Sequence, residues 1–162
     1  MPTTAPAPSY PGTFASLGQI LDLANAYLAA AYKLMDYDTG NPLASAPMRL
    51  VAIQALELYL NAFLLASGED AATIRGLQHD LAKRSALAIE RGLVVRKRTE
   101  THLLSLNTNR EYLTSRYGPE MSATWSQLNA LHATLKEVSE KVHPIVHSVL
   151  AERFNSPRPA SH

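Results

Sequence analysis

"LVAIQALELYLNAFLLA", residues 50–66, decides the fold of this chain. Apolar side chains cover most of the circumference it would have as a helix, and a helix apolar nearly all round belongs in the centre of a bundle. Its polar residues Gln54, Glu57 and Asn61 fall at i, i+3 and i+7, one narrow stripe. Three polar groups, one of them an acid, suit a soluble core helix better than a membrane span. The helix is expected to start near Ser45–Pro47, because proline is tolerated in a first turn, and to end before Gly68.

Neighbouring segments carry the same helical signal. Leu17, Ile20, Leu21, Ala24, Tyr27, Leu28, Ala31, Leu34 and Met35 trace one apolar stripe. Ser16 with Gln19 makes a capping-box signature at its start, and "DYDTGNP" supplies a cluster of turn formers at its end. A third element, "DAATIRGLQHDLAKRSALAIERG", is expected to break around Gly76 and restart at "HDL". A fourth helix is read over Thr99–Tyr117, stopped by Gly118–Pro119. The last carries Leu128, Leu131, Leu135, Val138, Val142, Ile145 and Val149, with Pro144 kinking rather than dividing it because the apolar phase continues across it. No strand pattern is present. The expectation is an all-α fold, an antiparallel helical bundle of four to five helices over 14–154, with a disordered arm at 1–13 and a disordered tail at 155–162.

Composition excludes several classes. The chain has no cysteine, which removes disulfides, thiolate chemistry and Cys-type zinc sites and suits a cytoplasmic location. A formal charge of +1 makes no global commitment to nucleic acid or an acidic membrane. "MPTTAPAPSYPG" has neither the basic start nor the apolar core of a signal peptide.

The stretch "NTNREYLTSRYG", residues 107–118, poses the main question of function. On one continuous helix Leu103, Leu106, Arg110, Leu113 and Tyr117 share a seam, spaced 3, 4, 3, 4. That places an arginine among apolar neighbours, and a buried charge requires a partner. Glu57, the acid on the apolar second helix, is the expected one. A ligand or RNA phosphate contact and a solvent-facing position are the competing readings.

Three stretches taken together, "AIQALELYLNAFLLASG", "RGLQHDLAKRSALAIERGL" and "LNTNREYLTSRYG", resemble the HEPN superfamily over roughly residues 47–118. The matching residues are Glu57, Tyr59 and Leu60, then His79, Asp80 and Leu81, then Tyr112, Arg116 and Tyr117. The resemblance implies an all-α bundle, frequent homodimerisation, and association with nucleotides or RNA. In its ribonuclease branch an arginine is followed after four to six residues by a histidine. Arg110 matches that arginine, but Ser115, Arg116 and Tyr117 stand where the histidine belongs. Arginine cannot replace it, because a guanidinium does not deprotonate near neutral pH. A literal match elsewhere, Arg96 to His102, straddles the start of the fourth helix.

The expected function is therefore a non-catalytic HEPN-like binding or regulatory module, homodimeric, for a nucleotide, RNA or a protein partner, with no cofactor. Its candidate ligand-binding residues are Arg110, Tyr112, Arg116 and Glu57. The alternative is a divergent metal-independent endoribonuclease using Arg110 with His79 or His102 brought in spatially. A purely structural interaction protein is the third reading. A catalytic His79 needs a carboxylate or arginine from another helix; otherwise His79–Asp80 simply opens a helix, with Asp80 accepting from free backbone amides. Glu140, His143 and His147 share one helical face but lack further ligands, so no metal is expected. "RKR" at 96–98 with Lys83, Arg84 and Arg91 could form a basic patch, without the aromatic interleaving that single strands require.

Overall fold

The computed structural model describes residues 9–35 and 40–156. Among them it is all-helical: α1 (Leu17–Met35), α2 (Ala46–Ala66), α3 (Ala71–Gly76), α4 (Leu81–Glu90), α5 (Lys97–Thr108), α6 (Glu111–Tyr117) and α7 (Leu128–Asn155), with 3-10 turns at Pro42–Ser45 and Pro119–Thr124. The count exceeds the four to five expected because the third and fourth elements are each divided. Most of the expected disordered arm and tail lies outside the described residues.

α2 is the central element. It packs against α1, α7, α6 and α4, and Ala52, Leu56, Tyr59, Leu60 and Leu64 are fully enclosed. The segment Pro42–Ala66 is long and apolar enough to cross a membrane, yet most of it is buried against the other helices. The capping box at α1 forms in both directions: Gln19 N–H donates to Ser16 Oγ (3.1 Å), and Ser16 N–H donates to Gln19 Oε1 (2.8 Å).

The ends of α2 and α4 share a second device. After α2, Glu69 N–H reaches back to Leu64 O (2.9 Å) and Gly68 N–H to Leu65 O (3.2 Å). After α4, Leu93 N–H reaches Ala88 O (2.9 Å) and Gly92 N–H reaches Ile89 O (3.0 Å). Both are Schellman closures, and both need the left-handed backbone that glycine adopts without strain, φ +95° at Gly68 and +105° at Gly92. Pro144 does not divide the last helix, which runs unbroken from Leu128 to Asn155.

The fourth element departs from its expected course. It is broken between Thr108 and Glu111, and Arg110 stands between the two halves in the left-handed region, φ +51°, ψ +39°. The seam 103–106–110–113–117 therefore never forms as one face. Leu103 and Leu106 are buried, but Arg110 is exposed and Tyr117 is 75% exposed. Among the described residues Arg110 enters no ion pair, and Glu57 is paired elsewhere. This corrects the expected Arg110–Glu57 bridge. The physical reason is one of phase: a continuous helix would carry the guanidinium of Arg110 on the face that buries Leu103 and Leu106. Asn107, Thr108 and Asn109 are weak helix formers, so the chain breaks there. A left-handed non-glycine residue costs about 1–2 kcal/mol, and in return the residue turned inward is Glu111, which is wholly enclosed.

Glu111 has a partner that the sequence reading did not identify. Its Oε1 accepts from Arg49 Nη1 at 2.6 Å and from Ser126 Oγ at 3.2 Å, and its Oε2 accepts from Ser126 N–H at 3.1 Å. Arg49 also donates to Ser45 Oγ (2.9 Å) and Ser126 O (2.6 Å), and its guanidinium lies 5.2 Å from the centroid of the Trp125 ring. One ion pair thus ties the start of α2, the start of α6 and the segment before α7.

Candidate functional site

The polar stripe of α2 does not point at bulk solvent. Gln54, Glu57 and Asn61 line a concavity of about 670 Å³, closed on its other sides by Ile74, Gln78, His79 and Arg84 from α3, α4 and the turn between them, and by Tyr10–Gly12 of the N-terminal segment. That volume is in the range of small-molecule sites. The stripe exists because a ring of apolar residues fixes the phase of α2, leaving one face for groups that need polar company.

Arg84 is the unusual member. It shares the inner face of α4 with Leu81, Ser85 and Ala88, and only 2% of it is exposed. Its Nε donates to Asn61 Oδ1 (2.7 Å), and its Nη2 donates to Gln78 O (2.8 Å) and Ile74 O (3.4 Å). Nη1 is buried and has no partner. The nearest acid, Glu57, is 3.9 Å away, too far for a hydrogen bond. Burial holds the guanidinium below its usual pKa, and the charges of Glu57 and Asp80 offset that only in part.

Glu57 is also bound to a histidine. Its Oε2 lies 3.1 Å from His79 Nδ1, and the His79 ring stacks on Tyr112 of α6 with centroids 5.4 Å apart and planes 29° apart. The carboxylate or arginine that a catalytic His79 needs from another helix is supplied by Glu57 of α2. Of the sequence candidates, Glu57, Tyr112 and His79 come together. Arg116 is exposed on α6, and Arg110 borders a separate shallow surface with Asn109, Leu113 and Thr124. Asp80 takes its expected capping role, accepting from Lys83 N–H at 2.9 Å. The sequence reading places Arg84 only in the basic patch with Lys83 and Arg91. The spacing Leu81, Arg84, Ser85, Ala88, at i, i+3, i+4 and i+7, is the signal that would have placed it inside.

The basic patch is largely neutralised. Arg91 meets Glu69 (2.5 Å), Arg96 meets Glu137 (3.0 Å), Lys97 meets Glu100 (3.2 Å), and Lys83 approaches Asp80 (3.9 Å). Arg96 and His102, the literal arginine–histidine match, do not join: Arg96 is bound to Glu137, while His102 Nδ1 faces Thr134 Oγ1 at 2.6 Å. The His143 and His147 rings lie 4.3 Å apart, tilted by 43°, and among the described residues no group of three or more His, Asp or Glu could hold a metal.

His102 carries a pH dependence. Its Nε2 is buried without a partner, and burial lowers its pKa, with Arg49 lowering it further and Glu111 pulling it back. A histidine whose folded pKa lies below its unfolded value, about 6.5, binds protons more readily in the unfolded chain, so stability falls as pH drops through that value. We expect thermal unfolding measured between about pH 7.5 and pH 5.5 to show a steeper loss of Tm in the wild type than in His102→Gln. Parallel curves would mean that His102 does not titrate with folding.

Compared with protein-family models, with the curated proteins and with the solved structures, the chain matches none of them.

Proposed function

We propose that this chain is a non-catalytic, HEPN-like binding or regulatory module, homodimeric, whose ligand is a small molecule of nucleotide size held between α2, α3 and α4. The observation that carries this reading is Arg84: a buried, permanently charged side chain on the wall of a concavity, with one nitrogen left unpaired. A buried donor without an acceptor costs about 1–3 kcal/mol, and a bound group supplies the missing acceptor. A nucleotide fits better than an RNA strand, because Lys83, Arg91, Arg96 and Lys97 of the basic patch are already engaged by acids.

The test is to denature the purified protein, identify any released small molecule by mass spectrometry, and measure Tm with a panel of nucleotides. Release of a nucleotide, or a rise in Tm that Glu57→Leu removes, is the expected result. Neither one, with concentration-dependent dimerisation, would replace this reading by a purely structural interaction protein. The Glu57–His79 contact favours a second reading as a divergent endoribonuclease, since a carboxylate that fixes one ring nitrogen leaves the other free to move a proton. RNA cleavage lost in a folded His79→Ala variant would establish it in place of the first.

A further inference from the structure

The charge balance of the same cavity points to the chemistry of what enters it. Arg84 and Arg75 line it against one acid, Glu57, whose Oε2 is already engaged by His79. Arg75 is exposed, with its guanidinium 5.9 Å from the centroid of the Tyr10 ring. Three of the contacts around Arg84 hold its Nε and Nη2, and all three acceptors are neutral amide or peptide oxygens. The hydrogen bonds from Arg84 thus all go to neutral acceptors, Glu57 and Asp80 act on its charge without hydrogen-bonding to it, and Nη1 has no acceptor.

We infer that this cavity contains an oxyanion subsite, in which a phosphate or carboxylate oxygen of the ligand accepts from Arg84 Nη1, with Arg75 at the rim adding a second positive charge. The inference rests on the cavity being the ligand site, and it adds which end of the ligand goes in first. Glu57 approaches Nη2 rather than Nη1, and its other oxygen is engaged by His79. Nη1 is covered, so the anion is admitted by a shift of the turn 77–80. That turn includes Gln78 at φ +50°, a strained conformation for a residue with a side chain, and its carbonyl is held by Arg84 itself.

The experiment titrates the full-length protein with adenosine, adenosine monophosphate, inorganic phosphate and acetate, reading heat of binding and the Arg84 side-chain Nε–H resonance. The monophosphate is expected to bind at least about tenfold tighter than adenosine, a difference of about 1.4 kcal/mol. A shift of the Arg84 resonance by phosphate alone marks a phosphate ligand, by acetate alone a carboxylate ligand, and either supports the subsite. Arg84→Met should abolish the preference. Because that variant also frees the turn, Gln54→Glu serves as a second: it adds a negative charge to the same wall and leaves Arg84 in place. It should weaken the monophosphate about fivefold or more relative to adenosine, whatever it does to the affinity for adenosine itself. Equal binding of adenosine and its monophosphate, unaffected by Gln54→Glu, would overturn the subsite and leave the cavity reading intact. Shifts by phosphate or acetate without any nucleotide binding would keep the subsite and overturn the nucleotide. Silence from all four probes would overturn both.

Discussion

Replacing Glu111 by Ala is expected to cost this protein about 3–5 kcal/mol in urea unfolding, the range for leaving one member of a buried ion pair uncompensated. Glu111 is fully enclosed and Arg49 is 6% exposed, so neither charge can fall back on water. Four further contacts through Ser126 and Ser45 lose their shared centre when one partner or the other goes. Arg49→Met should cost a similar amount, because it strands the carboxylate instead. The double variant is the discriminating measurement. Removing both charges together should recover much of the loss, since an apolar pair in such a site is often neutral or stabilising. If the two single losses simply add, the pair is not coupled and the hydrogen bonds to Ser126 and Ser45 account for the effect.

The second large effect is expected at Glu137. This residue sits in the middle of α7, yet it caps a different helix. Its Oε1 accepts from Arg96 N–H at 2.8 Å, and its Oε2 accepts from Arg96 Nε at 3.0 Å and from the Thr99 hydroxyl. The Arg96 amide at the start of α5 thus finds a carboxylate from across the bundle, and Arg96, the residue before α5, makes no side-chain cap of its own. Glu137→Ala should cost about 2–3 kcal/mol, the scale of a charge-assisted hydrogen bond together with a lost cap. Burial pushes the Glu137 carboxyl up, but the bonds from Thr99 and Arg96 outweigh it, and the net shift is downward. A carboxylate depressed in the folded state stabilises above the unfolded value, about 4.3 for glutamate, and that contribution is lost as pH falls through the lower folded value. Acid unfolding of the wild type should therefore show a component below about pH 4 that Glu137→Gln lacks. An unchanged acid transition would mean that the contacts are made equally well by the neutral amide.

Much of this fold is legible from periodicity. α1 with its capping box, α2 with its polar stripe, the break at Gly76 and the stops at Gly68 and Gly92 all follow from residue types acting on their own neighbours. The break at Arg110 does not. The 3, 4, 3, 4 spacing across it is sound local reasoning, and it fails because the alternative, turning Glu111 inward, is rewarded by Arg49, 62 positions away in sequence, and by Ser126, 15 positions away. The same holds for Glu137 and Arg96, separated by 41 positions. In the candidate site, Glu57 and His79 could be named from the sequence and Arg84 could not be singled out. Its importance lies in having too few partners, and a missing partner leaves no mark on a pattern of spacing.

The position of α2 also bears on how this sequence can change over generations. Nearly every side chain on it is either enclosed by other helices or half-covered along the stripe of Leu50, Gln54, Glu57, Asn61 and Leu65. A surface helix has one face on which substitutions are nearly free, and this one has none. Neutral drift therefore falls to the exposed faces of the other helices, while α2 carries the core and the cavity wall on the same turns of helix.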